Sequence, residues 1–237
     1  MPALLITTAV SPPAGVHLLK MNAHLDRLLA TKAAIYFWML SGVKKIVITD
    51  ATDSVILNDE DLSIAKSLDV NIEQLKYQQN SDNILQRGKG FGEAKLLEFT
   101  FQESEILKSS SVFFKCTGKL FVNNFEEILK IINSNKINSL FWRWGDGIYN
   151  FTHDYVDTRF YYSNKNIYLE KILPFLLETD ERTTNNHERQ AYKAVNQTHK
   201  TSAVQRPVII GYGGGGGQLH QHMNLGVFEN SFPSWHL

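Results

Sequence analysis

A single cysteine, Cys116, stands among the 237 residues, so neither an intrachain disulfide nor a cysteine-based zinc site can form, and the composition fits a reducing compartment. Charge of one sign is not in excess either: 24 Lys and Arg meet 24 Asp and Glu. A chain so balanced projects no global field toward a phosphate backbone, which excludes a dedicated DNA-coating protein and leaves no nucleic-acid partner expected. Long apolar runs are lacking as well. The most apolar stretch, Ala33 to Leu40, falls far short of the roughly 20 residues needed to cross a bilayer. No Lys or Arg precedes the first apolar run, so the signal-peptide layout is missing and a cytoplasmic location is expected.

What is present is the usage of a globular protein, with 43% hydrophobic and 20% charged residues, which excludes wholesale disorder. Ala3 to Thr8 is a short apolar run closed by Ser-Pro-Pro-Ala-Gly and reads as a buried strand. From Asn22 to Leu40, Leu25, Leu28, Leu29, Ile35, Trp38 and Met39 recur at steps of three and four ahead of Gly42, which predicts a helix. Val43 to Thr49 follows as a strand. Helices are then predicted over Asp59 to Leu68, Gly92 to Leu107, Phe125 to Ile132, Ile167 to Leu177 and Asn186 to Val195. Strands are predicted over Val70 to Lys76, Val112 to Cys116, Ser139 to Trp144 and Thr158 to Tyr162.

Such alternation predicts a single α/β domain, a mainly parallel sheet flanked by helices on both faces. Ligands of these sheets sit at the carboxyl ends of strands, so the loops starting at Thr7, Asp50, Lys115 and Trp144 should share one rim. The domain is expected over residues 1–212. A Gly-rich loop and flexible tail are expected over 213–237, where five consecutive glycines are costly to order. Phe228, Phe232 and Trp235 in that tail could pack on the core or touch a membrane or partner.

Several signatures are absent. No Gly-x4-Gly-Lys-Ser/Thr exists, the turn after the first strand lacks Gly-x-Gly-x-x-Gly, and neither Gly-x-Ser-x-Gly nor His-Glu-x-x-His occurs. These absences exclude P-loop chemistry and disfavour nicotinamide dehydrogenases, serine hydrolases and zincins.

Several clusters remain. Arg87-Gly-Lys-Gly-Phe-Gly92 leads into a helix, so Arg87, Lys89, Gly90 and Gly92 could cradle a diphosphate at its N-terminus, or the glycines could serve a tight turn. Lys115, Thr117, Gly118 and Lys119 lie where a buried strand emerges and could hold phosphate or sugar hydroxyls, or form a solvated hairpin. Asp50 opens Asp-Ala-Thr-Asp-Ser54 and could accept from a base or ribose, or make an Asx turn. Asp157 and Arg159, two apart on one strand face, should pair; Glu188 at a helix start is a further carboxylate candidate. His220-Gln-His222 is an alternate-residue pair that could share a metal with a carboxylate. Trp142 and Trp144, with Tyr149 and Phe151, could stack on a sugar ring or fill the core.

In their order along the chain these motifs resemble the bacterial GT-A-like glycosyltransferases of O-antigen and capsule biosynthesis. The resemblance rests on the first strand ending in Thr7-Thr8, on Ile-Val-Ile-Thr-Asp-Ala-Thr-Asp-Ser54, Lys-Gly-Phe-Gly-Glu93 and Lys-Cys-Thr-Gly-Lys-Leu-Phe121, and on Asp-Thr-Arg-Phe-Tyr-Tyr162 and Asn-Asn-His-Glu188. It implies a GT-A fold, a nucleotide-sugar donor and a glycan or lipid-linked glycan acceptor, with peripheral contact at the inner face of the cytoplasmic membrane allowed. It further implies donor contacts from Thr7, Thr8, Asp50, Arg87, Lys89, Lys115, Lys119 and Arg159, with Asp157 first and Glu188 second as the base. Such enzymes commonly carry Asp-x-Asp where this chain has Lys-Cys-Thr-Gly118. Either Lys89, Lys115 and Lys119 replace a Mn or Mg ion, or ligands come from Asp157 and the His220 region. A non-catalytic nucleotide-sugar or glycan-binding module and a sugar-phosphate nucleotidyltransferase are the alternatives, the latter with a poor glycine signature in Ser11-Pro-Pro-Ala-Gly15.

Overall fold

Every residue of the first strand, β1 (Ala3–Thr8), is buried, and its side chains divide between two cores, as a strand covered on both sides requires. In this computed structural model the described residues are 1–13, 15, 19–145, 151–198, 200–213, 217–221 and 232–236. After β1 come α1 (His24–Leu40), β2 (Lys45–Asp50), α2 (Asp59–Ser67), β3 (Asn71–Lys76), α3 (Ser81–Arg87), α4 (Lys89–Glu103), α5 (Glu105–Lys108) and β4 (Val112–Thr117). The chain continues through β5 (Leu120–Val122), α6 (Phe125–Asn135), β6 (Ser139–Gly145), β7 (Phe151–Val156), β8 (Phe160–Asn164) and α7 (Lys165–Ile167). A π-helical turn over Tyr168–Ile172 leads into α8 (Leu173–Leu177), then α9 (His187–Thr198), β9 (Lys200–Val204), β10 (Ile209–Tyr212), β11 (Leu219–Gln221) and β12 (Phe232–His236).

The α/β class predicted by the alternation is the class found. Among the described residues nine strands form one sheet, ordered β3-β2-β1-β4-β8-β6-β12-β9 with β7 beside β6. The parallel part is β3-β2-β1-β4, and antiparallel strands from β8 onward extend it. A three-stranded sheet, β11-β10-β5, lies apart. Strand β12 belongs to the main sheet, paired to β6 and β9, although it follows the domain end expected at residue 212.

Leu4, Ile6, Ile46, Ile48 and Phe114 meet Trp38 of α1 and Phe125 of α6 on one face. Leu5, Val47, Phe113 and Tyr161 meet Ala94 and Leu97 of α4, Tyr168 and Ala194 of α9 on the other. Each large apolar side chain so buried contributes roughly 1.5–3 kcal/mol. Trp142 is fully buried here, with its indole N–H donating to the Gln205 carbonyl, so it is a core residue and not a sugar platform. The Trp144 side chain, Tyr149 and the Phe151 side chain lie outside the described residues.

The helix predicted over Gly92 to Leu107 differs in detail. It begins at Lys89, after Gly88 at φ +92°, and breaks at Ser104. The Ser104 hydroxyl accepts from Leu107 N–H to cap α5, while the Glu73 carboxylate accepts from Ser104 and from the Glu105 and Ile106 amides. Among the described residues no helix is long and apolar enough to cross a membrane.

Candidate functional site

The parallel register puts the carboxyl ends of three strands on one level: Thr8 lies opposite Asp50, and Thr7 opposite Thr117. Strand β6 runs antiparallel to β8, hence in the direction of β4, and the loop that follows it lies outside the described residues. A cleft of about 570 Å³ opens there. Lys89 and Gly90 from the first glycine turn and Thr117 and Lys119 from the second all line it, together with Thr7, Thr8, Arg159, Glu188 and His220. The two turns singled out in the sequence therefore converge on one cavity.

Lys119 is only 3% exposed, and its ammonium makes no hydrogen bond or ion pair among the described residues. Burial, with the Arg27 guanidinium close by, pushes its pKa down to about 7, against the pull of Asp50 and Glu93. A desolvated cation of this kind, lining a cavity without a counter-ion among the described residues, can attract an anion. Arg159 adds a second cation. Its guanidinium is gripped by Asp157, with Nε to Oδ1 at 2.9 Å and Nη2 to Oδ2 at 2.7 Å, and Nη1 stands 3.3 Å from His220 Nδ1.

That grip corrects one expectation. Asp157 is buried and does not line the cleft, because both of its oxygens face Arg159. Burial would raise its pKa, but Arg159 holds the carboxyl below the usual range. The pair forms through a turn, with Arg159 N–H also donating to Oδ1, and not across a strand face. Asp157 orients a cation; it does not face the space where a substrate would lie.

Lys115, Arg87 and Asp50 likewise turn inward. Lys115 is fully buried, ion-paired with Glu93, and donates to Thr117 Oγ1 and the Thr158 carbonyl. Arg87 closes the end of α8 through the Leu177 and Thr179 carbonyls and lies over the Phe91 ring at 3.8 Å. Asp50 accepts from Val10, Thr52 and Ser54 amides and from the Thr52 hydroxyl, which is the Asx-turn alternative, and it shapes the rim without lining it. The N-terminus of α4 is not open to an anion either: Glu181 accepts from the Lys89 and Gly90 amides at 3.1 and 3.0 Å. The glycines serve close packing. A Cβ on Gly92 would lie 2.4 Å from the Gln79 amide, and one on Gly118 2.6 Å from Thr8 Cβ. Neither Gly92 nor Gly118 lines the cleft.

Glu188 does line it, from the first turn of α9. Burial, reinforced by Glu93 and Glu181, raises its pKa to about 6, so near neutrality it is a carboxylate of unusual basicity. Sequence reasoning did not single out Glu93 or His187 as site residues, though both line the same space. A lysine amid Phe113-Phe-Lys-Cys was the signal for Glu93, since an ammonium inside a buried strand demands a counter-ion. Burial pushes Glu93 up, yet Lys115, with help from His187 and Thr7, holds its pKa at about 2.

The residues of Lys-Cys-Thr-Gly118 do not fit a hard divalent cation. Lys115 is ion-paired, and Cys116 is buried, its thiol pushed up to about 12 by desolvation. Among the described residues no group of three His, Cys, Asp or Glu side chains is gathered. His222 lies outside the described residues.

No protein-family model matches the sequence, and no curated protein matches it. Among solved structures the chain is similar to S. aureus TarS, at 12% identity over 82% of this chain and 34% of that one, with a TM-score of 0.41. It is similar to S. aureus TarS 1-349 in complex with UDP, at 11% identity, 82% and 56% coverage and a TM-score of 0.42. For the complex with UDP-GlcNAc the values are 12%, 83%, 54% and 0.41. The chain thus spans between about a third and just over half of each of these proteins.

Proposed function

We propose that the cleft binds a nucleotide-sugar donor and that the protein transfers its sugar to a hydroxyl of a growing glycan, free or lipid-linked. The observation that carries this reading is the Lys119 ammonium, unpartnered among the described residues and buried at the carboxyl ends of β1 and β4 in a cavity that Arg159 also lines, with the basic carboxylate of Glu188 lining the same cavity. A diphosphate would supply the missing counter-charge. As the acceptor oxygen bonds to the anomeric carbon, the bond from that carbon to the phosphate oxygen breaks. Its electron pair moves onto the diphosphate, where Lys119, Arg159 and the more exposed Lys89 stabilise it; the acceptor proton passes to Glu188. Thr8 and Thr117 would supply hydroxyls to the phosphates or ribose, while Thr7, whose proton goes to Glu93, would accept from a ribose hydroxyl.

A thermal-shift screen of nucleoside diphosphates and their sugars, with and without manganese, tests the reading. One nucleotide class should raise the melting temperature, and its sugar conjugate should turn over with a glycan acceptor. Stabilisation without transfer or hydrolysis would identify a binding module, and stabilisation by none of them would remove the donor assignment.

A further inference from the structure

We propose that His187 is a hydroxyl-binding residue of this cleft, taking a hydroxyl of the transferred sugar and thereby setting which sugar is accepted; this rests on the nucleotide-sugar reading above. His187 opens α9 and lines the cavity, yet the residue is 2% exposed and, among the described residues, neither of its buried ring nitrogens has a hydrogen-bond partner. Two orphaned polar atoms in one buried side chain are rare, because each carries its desolvation cost without return. The ring is also held in place. A Cβ on Gly90 would lie 2.7 Å from His187 Cβ, so the first turn of α4 packs directly against it.

The surroundings decide what the ring can bind. Burial, with the Lys115 ammonium nearby, lowers its pKa, although Glu93 pulls the other way, as does the Gly90 backbone without completing a hydrogen bond. A neutral imidazole offers one donor and one acceptor, the complement of a hydroxyl, which is itself both. A phosphate suits the position poorly. It has only acceptors, which leaves the acceptor nitrogen of the ring unmatched, and the cations suited to it are Lys119 and Arg159. The cavity thus holds cations suited to an anion, Lys119 and Arg159, and also a neutral ring suited to a hydroxyl, His187, next in sequence to Glu188.

The experiment is calorimetric titration of wild type, His187→Ala and His187→Gln with UDP and UDP-glucose, GDP and GDP-mannose, and dTDP and dTDP-glucose. Wild type should bind one diphosphate and its conjugate. His187→Ala should keep the diphosphate within about 2-fold and lose about 10-fold or more on the conjugate, with part restored by glutamine, which keeps a donor and an acceptor. Equal weakening of both ligands, or of neither, would overturn the assignment. No binding of any probe by wild type would instead remove the donor reading, and this inference with it. Should the variants fail to fold, histidine ring resonances of the wild-type protein give the answer. A shift of the His187 signals with the conjugate but not with the diphosphate supports the role, and unmoved signals contradict it.

Discussion

The carboxylate of Glu93 on α4 is ion-paired with the fully buried ammonium of Lys115 at the middle of β4, and the Thr7 hydroxyl donates to the same carboxylate at 3.1 Å. Helix and sheet are thus locked directly beneath the cleft. Glu93→Gln leaves a buried ammonium without its counter-ion and should cost about 3–5 kcal/mol in denaturant titration, whereas Glu93→Gln with Lys115→Met should recover much of the loss. Because the folded pKa of Glu93 is depressed to about 2 from an ordinary 4.5, its stabilisation is complete above pH 4.5 and lost as pH falls toward 2. Acid titration of the wild type against the double variant measures that share.

Gly118 donates its amide to the Thr7 carbonyl at 2.8 Å, and a Cβ there would lie 2.9 Å from that same oxygen. Gly118→Ala must therefore separate the ends of β1 and β4. The expected cost is about 1–3 kcal/mol in thermal unfolding, accompanied by weaker ligand binding as Thr7 and Lys119 move apart.

Glu188 and Asp157 should separate in kinetics. Glu188→Gln removes the proton acceptor and should lower kcat by about 10²–10⁴-fold with donor affinity preserved. In the wild type the rate should rise with pH as Glu188 ionises near 6. Asp157→Asn instead releases the Arg159 guanidinium, so its main effect should be a raised donor KM with the pH profile unchanged. A collapse of kcat in Asp157→Asn with normal donor KM would return the base to Asp157.

Much of the fold was legible because its strands are nearly continuous apolar runs separated by turn residues, as β1, β2 and β4 show. The convergence of the turns at Gly90 and Gly118 was legible too, since strand ends of a parallel sheet share a rim. The direction in which each polar side chain turns was not. Lys115 and Arg87 carry the right chemistry for a ligand, but the partners that occupy them, Glu93 and the Thr179 carbonyl, come from distant segments, whereas Asp50 closes the local Asx turn that its sequence already allowed. The same reason hid His187. It reads as one residue of a helix start until packing seals it against α4. The break at Ser104 escaped periodicity because the apolar spacing continues through Ile106 and Leu107 while a side-chain cap restarts the helix.

The claim on which the account turns is that Lys119 receives a diphosphate. The direct measurement is the affinity of wild type and Lys119→Met for a nucleotide-sugar across pH 6 to 9, a range in which its diphosphate does not titrate. With the ammonium near 7, affinity should be greatest below that pH and fall as pH rises through it, since the neutral amine attracts no anion. The variant should bind about 10²-fold more weakly at pH 6 and lose most of the pH dependence. Equal affinity in the two proteins across the range would contradict the account.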